Sequence, residues 1–218
     1  MSTSVTSDVS IQPAATVAIA WPIAPEDEAR AGLYALLSRL FAAPPDALLL
    51  EAIAMSDHWT EEGHDPLAAA WNRLVMASGA MDTDAAMQEY TDLFVGVGKC
   101  AVNPHGSHWI AGFMMEKPLA DLRTTLARLG LAREPGVMML EDHLAAIFET
   151  MRILITGRGP RSPSSTATQH DFFAAHVEPW VFICCTAIEQ CSIANYYARV
   201  AEFGTLFLAV ERDSLAMD

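Results

Sequence analysis

Positive charge is scarce in this chain of 218 residues: 13 Lys and Arg stand against 27 Asp and Glu, a formal net charge of −14. Phosphate-backbone binding rests on clustered Lys and Arg, so nucleic acid is excluded as a partner class. Cysteine is sparse as well, four in all and no C-x-x-C pair, and Cys184, Cys185 and Cys191 lie in one apolar run. That pattern reads as reduced core thiols, not as a disulfide framework or a zinc site. No cationic stretch accompanies the Ala/Val/Ile segment within residues 1–24, which Pro22 interrupts. A secretory signal is therefore not expected, and the chain is expected in the cytoplasm. No stretch reaches the roughly 20 uninterrupted apolar residues of a membrane span.

Familiar catalytic patterns are missing too. Gly106-Ser107-His108 is not a G-x-S-x-G elbow, Gly96-x-Gly98 has neither a strand before it nor a third glycine in place, and there is no H-E-x-x-H. The residues thus nominate no catalytic group, no resident metal and no cofactor.

What is present is a core. Hydrophobic residues make up 52% of the chain, and a chain of this size buries roughly 70% of its unfolded surface without a disulfide or metal. Helical periodicity dominates from residue 26, beginning with Leu33, Leu36, Leu37, Leu40 and Phe41 on one face and stopped by Pro44-Pro45. A second helix starting at Pro45 runs through Leu48–Met55, a third follows Asp65-Pro66, and Asp82 caps a fourth that carries Tyr90, Leu93 and Phe94. Residues 96–107 read as a loop. Met115, Leu119, Leu122, Leu126 and Leu129 then mark another helix ended by Gly130, and Leu140–Leu154 mark one that ends at Gly157. After a short helix with Phe172, Phe173 and His176, Pro179 restarts the chain into one long apolar helix, Val181–Phe207. No strand-like alternation appears. The expected fold is all-α, a bundle of about eight to ten helices without a sheet.

The domain pattern is a mobile segment over 1–24, a main helical unit over 25–156, a linker over 157–170 that contains GRGPRSPSSTAT, and a C-terminal helical unit over 171–218. The last unit is too short to bury itself, so it packs on the main unit or, by domain swapping, on a second copy in a homodimer.

Charge is uneven as well. Residues 26–92 hold 13 acids against Arg30, Arg39 and Arg73, whereas 93–161 hold 6 acids against 8 bases. A surface of the first kind concentrates cationic ligands, and the plainer alternative is a solvated face that keeps the protein soluble.

Three short runs belong together. They are Glu89-Tyr90-Thr91-Asp92-Leu93-Phe94-Val95-Gly96, then Asn103-Pro104-His105-Gly106-Ser107-His108-Trp109, then Glu134-Pro135 with Glu141-Asp142-His143-Leu144. In order and spacing they resemble the E-x-x-x-L-F-x-G helix end, the P-x-x-S loop and the E-P-x-D-H helix start of the TorD/DmsD/NarJ-type chaperones of molybdenum-enzyme maturation. The likeness continues through Phe172, His176, Trp180 and Asn195-Tyr196-Tyr197, spanning about 28–208. It implies an all-helical, non-enzymatic cytoplasmic chaperone. Its partners would be the twin-arginine leader, or the body, of a molybdenum redox enzyme whose export it delays until the cofactor is in place. In this chain Asn103-Pro104-His105 replaces the family's common double proline and aromatic, Gly96-Val97 replaces a Gly-Pro pair, and Gly136–Leu140 stretch the third motif.

A twin-arginine leader offers two cations followed by an apolar segment, so its binder needs an apolar groove with an acidic rim. Tyr90, Leu93, Phe94 and Trp109 are candidates for the wall, though Leu93 and Phe94 also suit an ordinary core. Glu89, Asp92, Glu141 and Asp142 are candidates for the guanidinium partners. Gly96, Pro104 and Ser107 shape the loop, and Asp142 with His143 opens a helix, Asp142 as its cap and His143 half-buried. The competing reading is a small helical metal-dependent enzyme using His143 and Asp142 with His105 and His108, whose i, i+3 spacing is the only other histidine pattern nearby.

Overall fold

The computed structural model describes residues 21–60, 65–96 and 100–217. Residues 1–20, which make up most of the expected mobile segment, lie outside the described residues, as does Gly98 of the expected loop.

Acidic caps set most of the helix starts in the first half. Helix α1, Pro25–Ala42, opens on Pro25 and on Glu26, Asp27 and Glu28, whose charges suit the positive helix end, and it closes before Pro44-Pro45. Helix α2, Ala47–Ala54, begins after Asp46, whose carboxylate accepts the Leu49 N–H. The start falls two residues after the Pro45 expected from sequence, because Asp46 and not the proline satisfies the free amides. Asp65 caps α3, Pro66–Ala80, and Asp82 caps α4, Thr83–Tyr90. A π-helical turn, Thr91–Val95, continues α4 and ends at Gly96, where φ is 61°.

Short α5, Gly106–Ala111, is followed by α6, Lys117–Arg128, and α7, Leu144–Thr156. Gly157, at φ 73°, ends α7. Ser165 then caps α8, Thr166–His176, so the helix begins inside the stretch expected to be a linker and the connection narrows to 157–165. The single long helix expected over Val181–Phe207 is two: α9, Val181–Glu189, and α10, Tyr196–Leu215. Among the described residues there are ten α-helices and the π-turn, and no strand beyond two isolated bridges, His105 with His143 and Arg158 with Arg161. The fold is all-α, as the periodicity implies.

Helix α1 lies along α7, and α10 lies along α3 and α9. Tyr34, Leu37, Leu40 and Phe41 of α1 are buried, the Tyr34 ring against Phe148 of α7 and Phe207 of α10, and the Phe41 ring against Phe148 and Tyr197 of α10. Each such side chain contributes about 1.5–3 kcal/mol when fully buried. Polar ties cross the same seams. Ser38 donates to the Ala145 carbonyl at 2.9 Å, and Tyr197 to the Leu40 carbonyl at 2.9 Å. Arg30 bridges α1 to Glu211 of α10 at 2.7 Å and to Gln169 of α8 at 3.0 Å. The C-terminal helices thus pack on α1, α3 and α7 of their own chain. Among the described residues no single helix is long and apolar enough to cross a membrane.

Candidate functional site

The two loops that carry the second and third motifs are laced together by backbone hydrogen bonds. Gly106 N–H donates to the Asp142 carbonyl at 2.8 Å, and Leu144 N–H to the Pro104 carbonyl at 2.9 Å, which aligns His105 antiparallel to His143. Where the loops cross, Asp142 is only 3% exposed. Its Oδ2 accepts the Ser107 N–H at 2.9 Å and also the Ser107 hydroxyl. Ser107 stands in the first turn of α5, so the carboxylate caps that helix from another segment. It does not cap α7, as the sequence suggests. His143 does so, its Nδ1 accepting the Ala145 N–H at 3.1 Å.

The other oxygen, Asp142 Oδ1, is buried and has no hydrogen-bond partner among the described residues. A buried carboxylate oxygen without a donor carries a large desolvation cost. Asp142 lines a cavity of about 180 Å³ together with Ile110, Asp121, Leu122, Ile147, His176 and Trp180. Trp180 is fixed by its indole N–H, which donates to the His176 carbonyl at 2.7 Å. Gly106 brings the α5 backbone against that indole, since a Cβ there would stand 2.9 Å from Trp180 Cε2.

Burial disfavours the charged form of His143 and of His105. Burial pushes His143 down to about 3, helped by the neighbouring His105, whose ring lies edge-on with centroids 4.9 Å apart. Burial also lowers His105, which Asp142 opposes and His108 reinforces. Since His143 Nδ1 is the acceptor of the α7 cap, its proton sits on Nε2. Among the described residues no group of three or more His, Cys, Asp or Glu side chains is arranged to hold a metal ion.

The remaining candidates are spread over several places. Glu89 is engaged elsewhere: its carboxylate accepts the N–H groups of Asn195 and Tyr197 at 2.8 Å and Tyr196 at 3.1 Å, capping α10. Tyr90, Leu93 and Phe94 are buried core residues and line neither loop cavity, Tyr90 donating to the Phe41 carbonyl. Asp92 is exposed and accepts from Gln88. Gly96 ends the π-turn. Pro104 and Ser107 belong to the laced loops, and Trp109 is half-buried with its indole N–H on the Asn103 carbonyl at 2.7 Å. Glu141 faces away from Asp142. It pairs with Arg123 at 2.9 Å and Arg133 at 3.7 Å, and although burial would raise it, Arg123 and Arg133 hold its carboxyl below the usual range.

Glu141 borders a second cavity of about 260 Å³, between α1, α7 and residues 131–141. Adjacent acids thus serve opposite sides of one loop. Asp121, Ile110 and Pro118 of the smaller cavity escaped the sequence reading. Asp121 sits on the polar edge of amphipathic α6, four residues after its partner Lys117, and nothing in its local pattern distinguishes it from a solvated residue.

Residues 60–186 match the family model described as nitrate reductase delta subunit, and the chain belongs to that family of NarJ/TorD-type maturation chaperones. Its fold is similar to the crystal structure of a proposed redox enzyme maturation protein from Archaeoglobus fulgidus. The two share 19% sequence identity and a TM-score of 0.52, with 86% of this chain and 93% of that one covered. Among curated proteins none matches the chain significantly.

Proposed function

We propose that the protein is a cytoplasmic chaperone that binds the twin-arginine leader, and the apo form, of a molybdenum-cofactor oxidoreductase before export. One observation carries the reading: Asp142, whose buried Oδ1 has no hydrogen-bond partner among the described residues, lines a cavity together with Asp121 and Trp180. A guanidinium supplies planar N–H donors to a carboxylate and stacks on an aromatic face, as an ammonium does not. The cavity accepts one arginine of the leader, with Asp142 and Asp121 as partners and Trp180 alongside.

The apolar part of the leader lies on the last turn of α5 and the α5–α6 connection, where Ile110, Phe113 and Met115 are 47%, 70% and 71% exposed. This takes over the role that Tyr90, Leu93 and Phe94 have in the sequence-based expectation. Of those candidates, Ser107, Trp109, Asp142 and His143 remain at the site, Asp142 by contact and the others by shaping the loops. Exposed ion pairs contribute about 0–1 kcal/mol each, whereas each buried apolar side chain contributes about 1.5–3 kcal/mol. Charge orients the leader, and apolar contact retains it.

Titration of a fluorescently labelled twin-arginine leader tests the reading. Saturable binding in the micromolar range, corresponding to about −8 kcal/mol, is expected, with loss of most affinity when both arginines become Gln. Unchanged binding of the neutral leader removes the proposal. A client lacking its leader separates the two halves of the reading: retained binding assigns the apo body as a second contact, and complete loss assigns recognition to the leader alone.

A further inference from the structure

The bases of the 93–161 stretch are mostly neutralised by their neighbours. Lys117 pairs with Asp121, Arg123 and Arg133 with Glu141, Arg152 with Glu149, and Arg158 with Glu134. Among the described basic residues of the whole chain, only Arg128 and Arg161 lack a carboxylate partner.

These two arginines meet at the C-terminal end of α6. Arg128 is exposed in the last turn of the helix and donates one N–H to the Thr125 hydroxyl at 3.2 Å. Arg161 comes from the turn that follows α7, closed by hydrogen bonds between Arg158 and Arg161, and donates to the Gly130 carbonyl at 3.0 Å. Gly130 leaves room for it, since a Cβ there would stand 2.5 Å from Arg161 Nη2. The carbonyl end of a helix carries about half a negative charge, less than two guanidiniums require. Each guanidinium also keeps N–H donors for a further acceptor.

Arg128 lines a cleft of about 450 Å³ between α6 and α8, whose apolar wall is Leu129, Phe172 and Ala175. Asp171 lines it too, but its side chain is 87% exposed and lies 3.7 Å from the His170 ring, so it leaves Arg128 unpaired. Ala175 and His176 belong both to this cleft and to the Asp142 cavity, so the two adjoin.

We propose that the α6–α8 cleft, together with Arg128 and Arg161, docks an acidic, partly apolar segment of the client protein. Its carboxylates take the guanidinium donors that the chain leaves unused, and its apolar side chains enter the cleft. A net charge of −14 disfavours a nucleic acid in the same place. The proposal rests on the chaperone reading for the identity of the partner: the leader's cations go to the Asp142 cavity, and an acidic segment of the apo body goes to the adjoining cleft. Two neighbouring contacts of opposite sign fix the orientation of the client and reinforce one another.

Amide NMR titration of the full-length protein with the peptide Glu-Asp-Leu-Phe-Asp-Glu tests this, with Gln-Asn-Leu-Phe-Asn-Gln as the neutral control. Shifts at Arg128, Leu129, Gly130 and Arg161 are expected with the acidic peptide and not with the neutral one. Arg128→Gln is expected to weaken binding about fivefold, as loss of an exposed ion pair does. Arg73→Gln removes the same charge from the seam between α3 and α10, and at a salt concentration of about 0.15 M, where the screening length is about 8 Å, it is expected to leave binding unchanged. No shifts at these residues, equal shifts with the neutral peptide, or equal losses in the two variants overturn the proposal. The same shifts with inorganic phosphate alone overturn it as well, since they describe a small-anion site. Leader titration of Arg128→Gln is expected to match wild type. A leader that fails to bind while the acidic peptide still docks removes the chaperone reading, whereas the reverse result removes the cleft alone.

Discussion

At Asp142 one carboxylate has two separable tasks. Oδ2 holds Ser107 and with it the start of α5, while Oδ1 is buried without a donor among the described residues. Asp142→Ala removes both, and leaving the Ser107 donors without their acceptor costs about 1–3 kcal/mol of stability. Asp142→Asn retains an acceptor for Ser107 through its amide oxygen and replaces the Oδ1 acceptor with an N–H₂ and the negative charge with none, which disfavours a guanidinium. Urea unfolding and leader titration together should therefore show Asn losing affinity with a smaller stability loss than Ala. If the Asn variant binds the leader as wild type does, Oδ1 is not a recognition atom.

His143 gives a second test at this scale. Its folded value lies near 3 and its unfolded value near 6.5, so between those limits the unfolded chain binds the additional proton and stability falls as the pH falls. The contribution is complete above about 6.5 and gone below about 3, at roughly 1.4 kcal/mol for each unit of depression. His143→Asn keeps a cap acceptor for α7 and does not titrate. Its unfolding free energy should decline less steeply than that of wild type across this window, and parallel slopes in urea melts at successive pH values would assign the acid sensitivity elsewhere.

Helix ends decide which elements could be read from the sequence. Asp46, Asp65 and Asp82 cap helices that follow them directly, and the stops at Pro44-Pro45, Gly130 and Gly157 are equally local. The break between α9 and α10 carries neither proline nor glycine. The start of α10 is held across the fold by Glu89, more than a hundred residues away in sequence, accepting three successive N–H groups. The same arrangement misled at the site. An acid just before a helix suggests a cap for that helix, yet Asp142 caps α5 and leaves α7 to His143. The second and third runs meet in the fold through the Gly106–Asp142 and Leu144–Pro104 hydrogen bonds, whereas Leu93 and Phe94 of the π-turn are buried in the core, and Asp121 is visible only once α6 has been packed. Glu89→Ala should cost about 1–2 kcal/mol, whereas Asp92→Ala, an exposed acid on the same stretch, should stay within about 0.5 kcal/mol. Equal denaturation midpoints for the two variants would mean that α10 does not need its distant cap.

For the whole molecule, a net charge of −14 coexists with acids that are largely occupied locally, as helix caps or in ion pairs. Local partners do not cancel the long-range field, because only 13 basic residues oppose 27 acids. On the proposed function, a dibasic leader approaching from a distance would respond to that sum, and once docked to Asp142, Asp121 and the exposed apolar side chains of Ile110, Phe113 and Met115. The two regimes separate by ionic strength. Between about 0.01 M and 0.15 M salt the screening length shrinks from about 30 Å to about 8 Å, which suppresses steering while leaving buried contacts nearly intact. Stopped-flow mixing with the labelled leader should show the association rate falling about tenfold over that range, the dissociation rate changing much less, and the neutral Gln-Gln leader associating slowly at every salt concentration. A salt effect confined to dissociation would instead mean that the field of the molecule plays no part in capture, and that recognition begins only at the rim of the Asp142 cavity.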